Sequence, residues 1–117
     1  MRPLVIKVTA GAEAAERCMQ GLTVASVALL AGSRVSLWLT GEAVWLATSE
    51  HDLTIPESPP ASQLLEAVLS GGSVRVCTQC AARRGLSEGD LRPGVTIAGA
   101  ASFVEEALRA DVQALVY

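Results

Sequence analysis

Short apolar runs alternate with helix-like stretches from one end of this chain to the other, and that alternation limits the fold more than any single motif. Leu4 to Val8, Arg34 to Leu39, Val74 to Val76, Val95 to Ala98 and Val112 to Val116 read as strands, rich in β-branched and aliphatic residues. Between them lie Ala12 to Ala31, Ala61 to Ser70, Ala81 to Arg84 and Ser102 to Ala110, which read as helices. The order β-α-β-α-β-α-β-α-β predicts an α/β fold with a mostly parallel sheet and helices on both faces. The Leu4 run is apolar apart from Lys7, as expected of a strand covered on both faces in mid-sheet.

The helices carry their own signals. Ala15, Cys18, Leu22, Ala25 and Leu29 recur at spacings of three and four and so share one face. Glu13 and Glu16 suit the first turn of that helix, and Gly32 stops it. Cys18 falls inside the apolar stripe and reads as a small core residue. Leu64, Leu65, Val68 and Leu69 form the inward face of the second helix, which Ser58 or Ser62 could cap. Ser102 and Glu105 have the spacing of a capping box for the last helix. Val44 to Ala47 reads as one or two helical turns. The polar, proline-bearing stretch Thr48 to Pro60 reads as a loop that could cover a site. It holds His51, the single histidine, with no partner fixed by sequence. Trp38 and Trp45 read first as core residues and second as interface residues.

A chain of 117 residues supports one core, and residues 1–117 are expected to form a single domain without repeats. The net charge is −3, and eight arginines and one lysine are spread without a basic cluster of the kind that binds nucleic acid. Direct nucleic-acid binding is therefore not expected. No apolar run approaches the roughly 18 residues of a membrane span, and the N-terminus lacks a signal-peptide core. The three cysteines, Cys18, Cys77 and Cys80, are then expected to be thiols of a cytoplasmic protein.

Chemistry concentrates in Val74 to Gly85. Cys77 ends a strand and a helix begins beside it, and ligands of open α/β sheets gather at that end of the strands. Free N–H groups at a helix start favour a thiolate. Three readings of Cys77 and Cys80 stay open. A zinc site is short of ligands, since only Cys18 and a distant His51 could complete it, and neither metal nor cofactor is expected. A thioredoxin-like redox pair has the right strand, C-x-x-C, helix context but lacks the flanking Trp, Gly and Pro. A persulfide carrier needs one exposed, activated cysteine. The bland alternative is two small packed residues.

Four segments together resemble the DsrE/DsrF-like family of small sulfur-relay and related proteins. They are Ala31-Gly32-Ser33-Arg34-Val35, Ser73 to Cys77 with Ala81 to Gly85, Leu91 to Gly99, and Phe103 to Tyr117. The resemblance implies a three-layer α/β/α sandwich around a five-stranded sheet, and homo-oligomers, trimeric or hexameric. It implies sulfurtransferase-like sulfur carriage on Cys77, with donor and acceptor proteins as partners. Cys80 matches no catalytic position in the relay members, but it is a candidate resolving thiol. Arg83 and Arg84 could add positive potential. A non-catalytic oligomeric domain and a Cys77/Cys80 thiol-redox protein are the alternatives.

Overall fold

The computed structural model describes residues 1–117. Its strands are β1 (Leu4–Val8), β2 (Val35–Leu39), β3 (Ser73–Cys77), β4 (Thr96–Ala98) and β5 (Gln113–Val116). Its helices are α1 (Ala15–Leu30), α2 (Ala61–Leu69), α3 (Thr78–Arg83) and α4 (Ala100–Ala107). The sheet has the order β4-β3-β2-β1-β5, and every pairing within it is parallel. From β1 to β4 the chain steps one way across the sheet, and from β4 to β5 it crosses back. Right-handed crossovers then place α1, α2 and α3 on one face and α4 alone on the other. The result is an α/β/α sandwich with unequal outer layers.

Register sorts the strand residues by face. Leu4, Ile6 and Val8 lie beside Val35, Leu37 and Leu39, and these beside Val74 and Val76. All belong to one buried cluster of 24 residues, to which α1 gives Cys18, Met19, Leu22 and Ala25 and α2 gives Leu64, Leu65 and Val68. None of the 24 comes from α4 or from strand positions facing it, so the main core is one-sided. The other face carries Lys7, Ser36, Trp38, Arg75 and Cys77, because side chains alternate across a strand. Trp38 is buried there, edge-on to Phe103 of α4 at 5.6 Å between ring centres. Glu106 of α4 accepts hydrogen bonds from Ser36 Oγ (2.7 Å) and Trp38 Nε1 (3.3 Å) and pairs with Arg75. One carboxylate thus fastens α4 to two strands.

Several local expectations shift. The long first helix opens with a 3-10 turn at Ala12–Ala14, and the apolar stretch around Val44 is a 3-10 helix over Gly41–Ala47. Helix α4 starts at Ala100 behind Gly99, with no side-chain cap, so Ser102 lies inside it and its capping box with Glu105 does not form. The turn Ser87-Glu88-Gly89-Asp90 is capped as its sequence suggests, by a capping box between Ser87 and Asp90. Neither Ser58 nor Ser62 caps α2. Asp52 does so from the preceding loop, accepting from Ser62 N (2.9 Å) and Ser62 Oγ (2.7 Å).

Candidate functional site at the carboxyl end of β3

Strand β3 runs to Cys77 because Val74 and Val76 bury on the main core while Arg75 and Cys77 turn to the α4 face. The chain then winds directly into α3, with Cys77 as the N-cap residue in extended conformation (φ −62°, ψ 128°). The short helix is anchored by Cys80 and Ala81, both buried. Helix α3 ends at Arg83, and Gly85 follows with a φ of 68°, where a left-handed residue favours glycine.

Cys77 is partly exposed, whereas Cys80 is buried. No side-chain hydrogen bond closes the α3 cap. The sulfur is nevertheless faced by groups that favour its charge. Burial pushes the Cys77 thiol up, but the Cys80 N–H, the Cys80 thiol, the Gln79 N–H and the Lys7 ammonium together hold it below the usual thiol range. Cys18 is the opposite case: burial, reinforced by the Glu13 carboxylate, raises its thiol to about 11. It sits fully enclosed in the main core, as its place in the apolar stripe suggested.

The site's corner is built from turns. Gly41 leaves β2 with a φ of 54°, and a Cβ there would stand 2.6 Å from the Thr9 carbonyl oxygen. Its N–H donates to Cys80 Sγ (3.3 Å). A glycine-only corner after β2 therefore seats Cys80. Arg83 places Nη1 at 4.0 Å from the same sulfur. Arg84 instead pairs with Glu42 (2.8 Å) and donates to the Cys80 carbonyl (3.0 Å), so its charge is locally matched. Of the two arginines only Arg83 adds unmatched positive potential near the thiols.

Other residues singled out in the sequence lie elsewhere. His51 stacks on Trp45 (5.1 Å), and its Nδ1 shares a hydrogen bond with the Thr48 hydroxyl (2.6 Å). The loop around it does not cover Cys77. Its segment from Ile55 to Pro59 lies along α1 beside Tyr117. No three His, Cys, Asp or Glu side chains converge to hold a metal ion. Four cavities indent the surface, and Cys77 lines none of them. One, about 330 Å³, holds Arg34, Arg75 and Arg109 at the amino end of the strands, away from the cysteine. Cys77 is thus partly exposed outside these cavities.

Lys7 and Gly41 escaped the sequence reading as site residues. A lone charge in an otherwise apolar central strand was the available signal for Lys7. Nothing local marked Gly41 beyond a strand break, since its partner Cys80 is 39 residues away.

These features define a small parallel α/β protein with a solvent-reachable cysteine at a strand end. The DsrE/DsrF-like family matches residues 3–113, and the chain belongs to that family. Over 84 residues it is 37% identical to the uncharacterised protein MJ0989 of Methanocaldococcus jannaschii, spanning 71% of this chain and 72% of that one. The fold matches the YchN protein of E. coli with a TM-score of 0.85 over 100% of both chains, at 23% identity. It also matches MTH1491, a protein of unknown function from Methanobacterium thermoautotrophicum, with a TM-score of 0.70 over 100% of both chains, at 13% identity. No helix is long and apolar enough to cross a membrane.

Proposed function

We propose that this protein is a sulfur carrier that holds sulfane sulfur on Cys77 and passes it to a protein acceptor. The observation that carries the reading is a partly exposed thiol, held toward its thiolate by surrounding N–H groups and an ammonium. An exposed thiol suits exchange between proteins, because a donor's persulfide must reach the sulfur on a loop or helix of its own. The Cys77 thiolate attacks the outer sulfur of the donor persulfide. The new sulfur–sulfur bond forms as the donor's own breaks, and the donor leaves as a thiolate. An acceptor thiolate then takes the outer sulfur and returns Cys77 to its starting state. Neither transfer changes the overall oxidation level.

Cys80 offers a second exit. Its thiolate could attack the inner sulfur, expelling hydrosulfide and leaving a Cys77–Cys80 disulfide that an external dithiol must reduce. The nearness of the Cys80 thiol to Cys77 favours this thiol-redox variant as the second reading. Homo-oligomers, trimeric or hexameric, fit the exposed apolar side chains of Val104, Leu108 and Val116, which the thin α4 layer leaves uncovered. A cytoplasmic setting fits three free thiols.

Mass spectrometry after incubation with a cysteine desulfurase and cysteine tests the proposal. The wild type is expected to gain one sulfur atom on the peptide holding Cys77, and Cys77→Ser to gain none. A gain that persists in Cys77→Ser, or no gain in the wild type, would overturn it.

A further inference from the structure

We propose that Lys7 is the positioning residue of the Cys77 site, an ammonium stored over the Phe103 ring to keep the sulfur anionic before and after it is loaded. The proposal rests on the reading of Cys77 as a sulfur acceptor.

Lys7 occupies an expensive place. It lies in β1, between β2 and β5, and its strand neighbours Leu4, Val5, Ile6 and Val8 are all buried. Lys7 itself is half-buried, so its ammonium is stabilised by what it packs against as well as by water. Arg75, on the same face and in the same cross-strand row, has Glu106 as its partner. Lys7 takes part in neither ion pair of the molecule. Its Nζ sits instead 4.9 Å from the centre of the Phe103 ring, whose negative face offsets only part of the charge.

Phe103 ties that ammonium to the turn that follows the strand partner of Cys77. The ring belongs to the first turn of α4, and the Phe103 N–H is bonded to the Gly99 carbonyl. Gly99 directly follows Ala98, the cross-strand partner of Cys77, and packs beside Thr78. Cys77 is on the α4 face too, two residues beyond Arg75 in β3. Ring, ammonium and thiol therefore share one corner of the sheet. The direction of the Cys77 shift agrees, with Lys7 among the groups that lower it.

The other charges around that corner are accounted for. From β3 and α4 come Arg75 and Glu106, paired with each other; Glu105 of α4 is solvent-exposed. Between the 3-10 helix and α3, Glu42 and Arg84 pair, while Arg83 reaches Cys80. Strand β4 has no charged residue. Lys7 is thus a cation without a carboxylate partner on the α4 face, as Arg83 is beside Cys80 on α3. Lys7 supports the thiolate that attacks and then the hydrodisulfide anion that results, both of which carry one negative charge.

The test uses the full chain and follows alkylation of the Cys77 peptide against pH. Lys7→Met is expected to raise the midpoint and to slow reaction with neutral iodoacetamide at pH 7 by about three- to tenfold. It should slow the anionic reagent iodoacetate further, lowering the ratio of the two rates, which a purely structural lysine would leave alone. Lys7→Arg should restore both. Should Lys7→Met fail to fold, Phe103→Leu takes its place, releasing the ammonium and moving the same readouts in the same direction. An unchanged midpoint with an unchanged reagent ratio would overturn the proposal. Because alkylation needs no sulfur donor, its result stands apart from the desulfurase test: a Lys7 effect without persulfide would discard sulfur carriage and keep the tuned thiol.

Discussion

The two faces of the sheet are built on different principles. One is dry and aliphatic, with α1 and α2 packed on Leu, Ile and Val side chains of three strands. The other is half-covered by α4 and carries Lys7, Ser36, Trp38, Arg75, Glu106 and Cys77. The dry face has many interchangeable contacts, each small. The α4 face has few contacts, each specific. Stability therefore comes mainly from the first face, while Cys77 stands between the two, held by α3 at the edge of the dry cluster and by Lys7 from the α4 face. A parallel sheet normally has both faces apolar. The polar row here is the departure, and it lies on the face that carries the candidate Cys77.

Removing one large side chain from each face should expose this difference. Leu65 is fully enclosed under α2. Leu65→Ala is expected to lose about 2–5 kcal/mol in urea unfolding, from lost burial plus the cavity left behind. The effect on Cys77 alkylation should be slight, because Cys77 meets the dry cluster only at its edge, beside Cys80 of α3. A large change in Cys77 reactivity would show that the faces are coupled more tightly than their separate contacts imply.

Glu106→Ala should give a smaller loss, about 2–3 kcal/mol, of a different kind. It strands the Arg75 guanidinium and leaves the donors of Trp38 and Ser36 without their acceptor. Helix α4 loses its fastening, so Phe103 and the ammonium above it should shift and Cys77 alkylation should change together with stability. In the double variant Arg75→Met with Glu106→Leu, much of the stability should return, because no unpaired charge remains. If the double variant is as unstable as the single one, α4 is held by packing that the carboxylate merely accompanies.

The dry face was the legible one. Its strands follow from β-branched and aliphatic runs: the structure keeps Leu4–Val8 as its pattern suggests, and starts the second strand at Val35, one residue after the expected Arg34. The strand order was not legible, because each apolar run would suit any central position. Cys77 stands out in the sequence as a candidate because its context is local: a strand ends, a helix begins, and a thiol stands between them. Lys7, Phe103 and Gly41 were not found as its companions. They reach it from β1, α4 and the turn after β2, and only the register brings those segments together. The capping errors have the same cause. The Ser102 and Glu105 spacing is a local pattern that Gly99 and the helix-favouring Ala100-Ala101 pair pre-empt. The true cap of α2 comes from Asp52, ten residues before Ser62.

That cap gives the smallest expected effect and sharpens the comparison. Helix α2 belongs to the dry face and has a side-chain cap from outside its own sequence; α4 has none and relies on Glu106. Burial pushes the Asp52 carboxyl up slightly, but the Ser62 hydroxyl and N–H, the Leu53 N–H and the Arg92 charge outweigh it and hold the group below the ordinary carboxylate value. A native value below the unfolded one means that the cap contributes fully above the unfolded pKa of about 4 and is lost as pH falls through the native value. Asp52→Ala should therefore cost about 1 kcal/mol at neutral pH. The gap between wild type and variant should close in strongly acidic solution, where the wild-type carboxyl is itself protonated. Urea unfolding of both proteins at neutral pH and below pH 3 would measure it. A gap that stays constant down to the lowest pH would mean that Asp52 acts through packing and not through its charge. If the neutral-pH loss matched that of Leu65→Ala, α2 would be held by its end and not by its buried face.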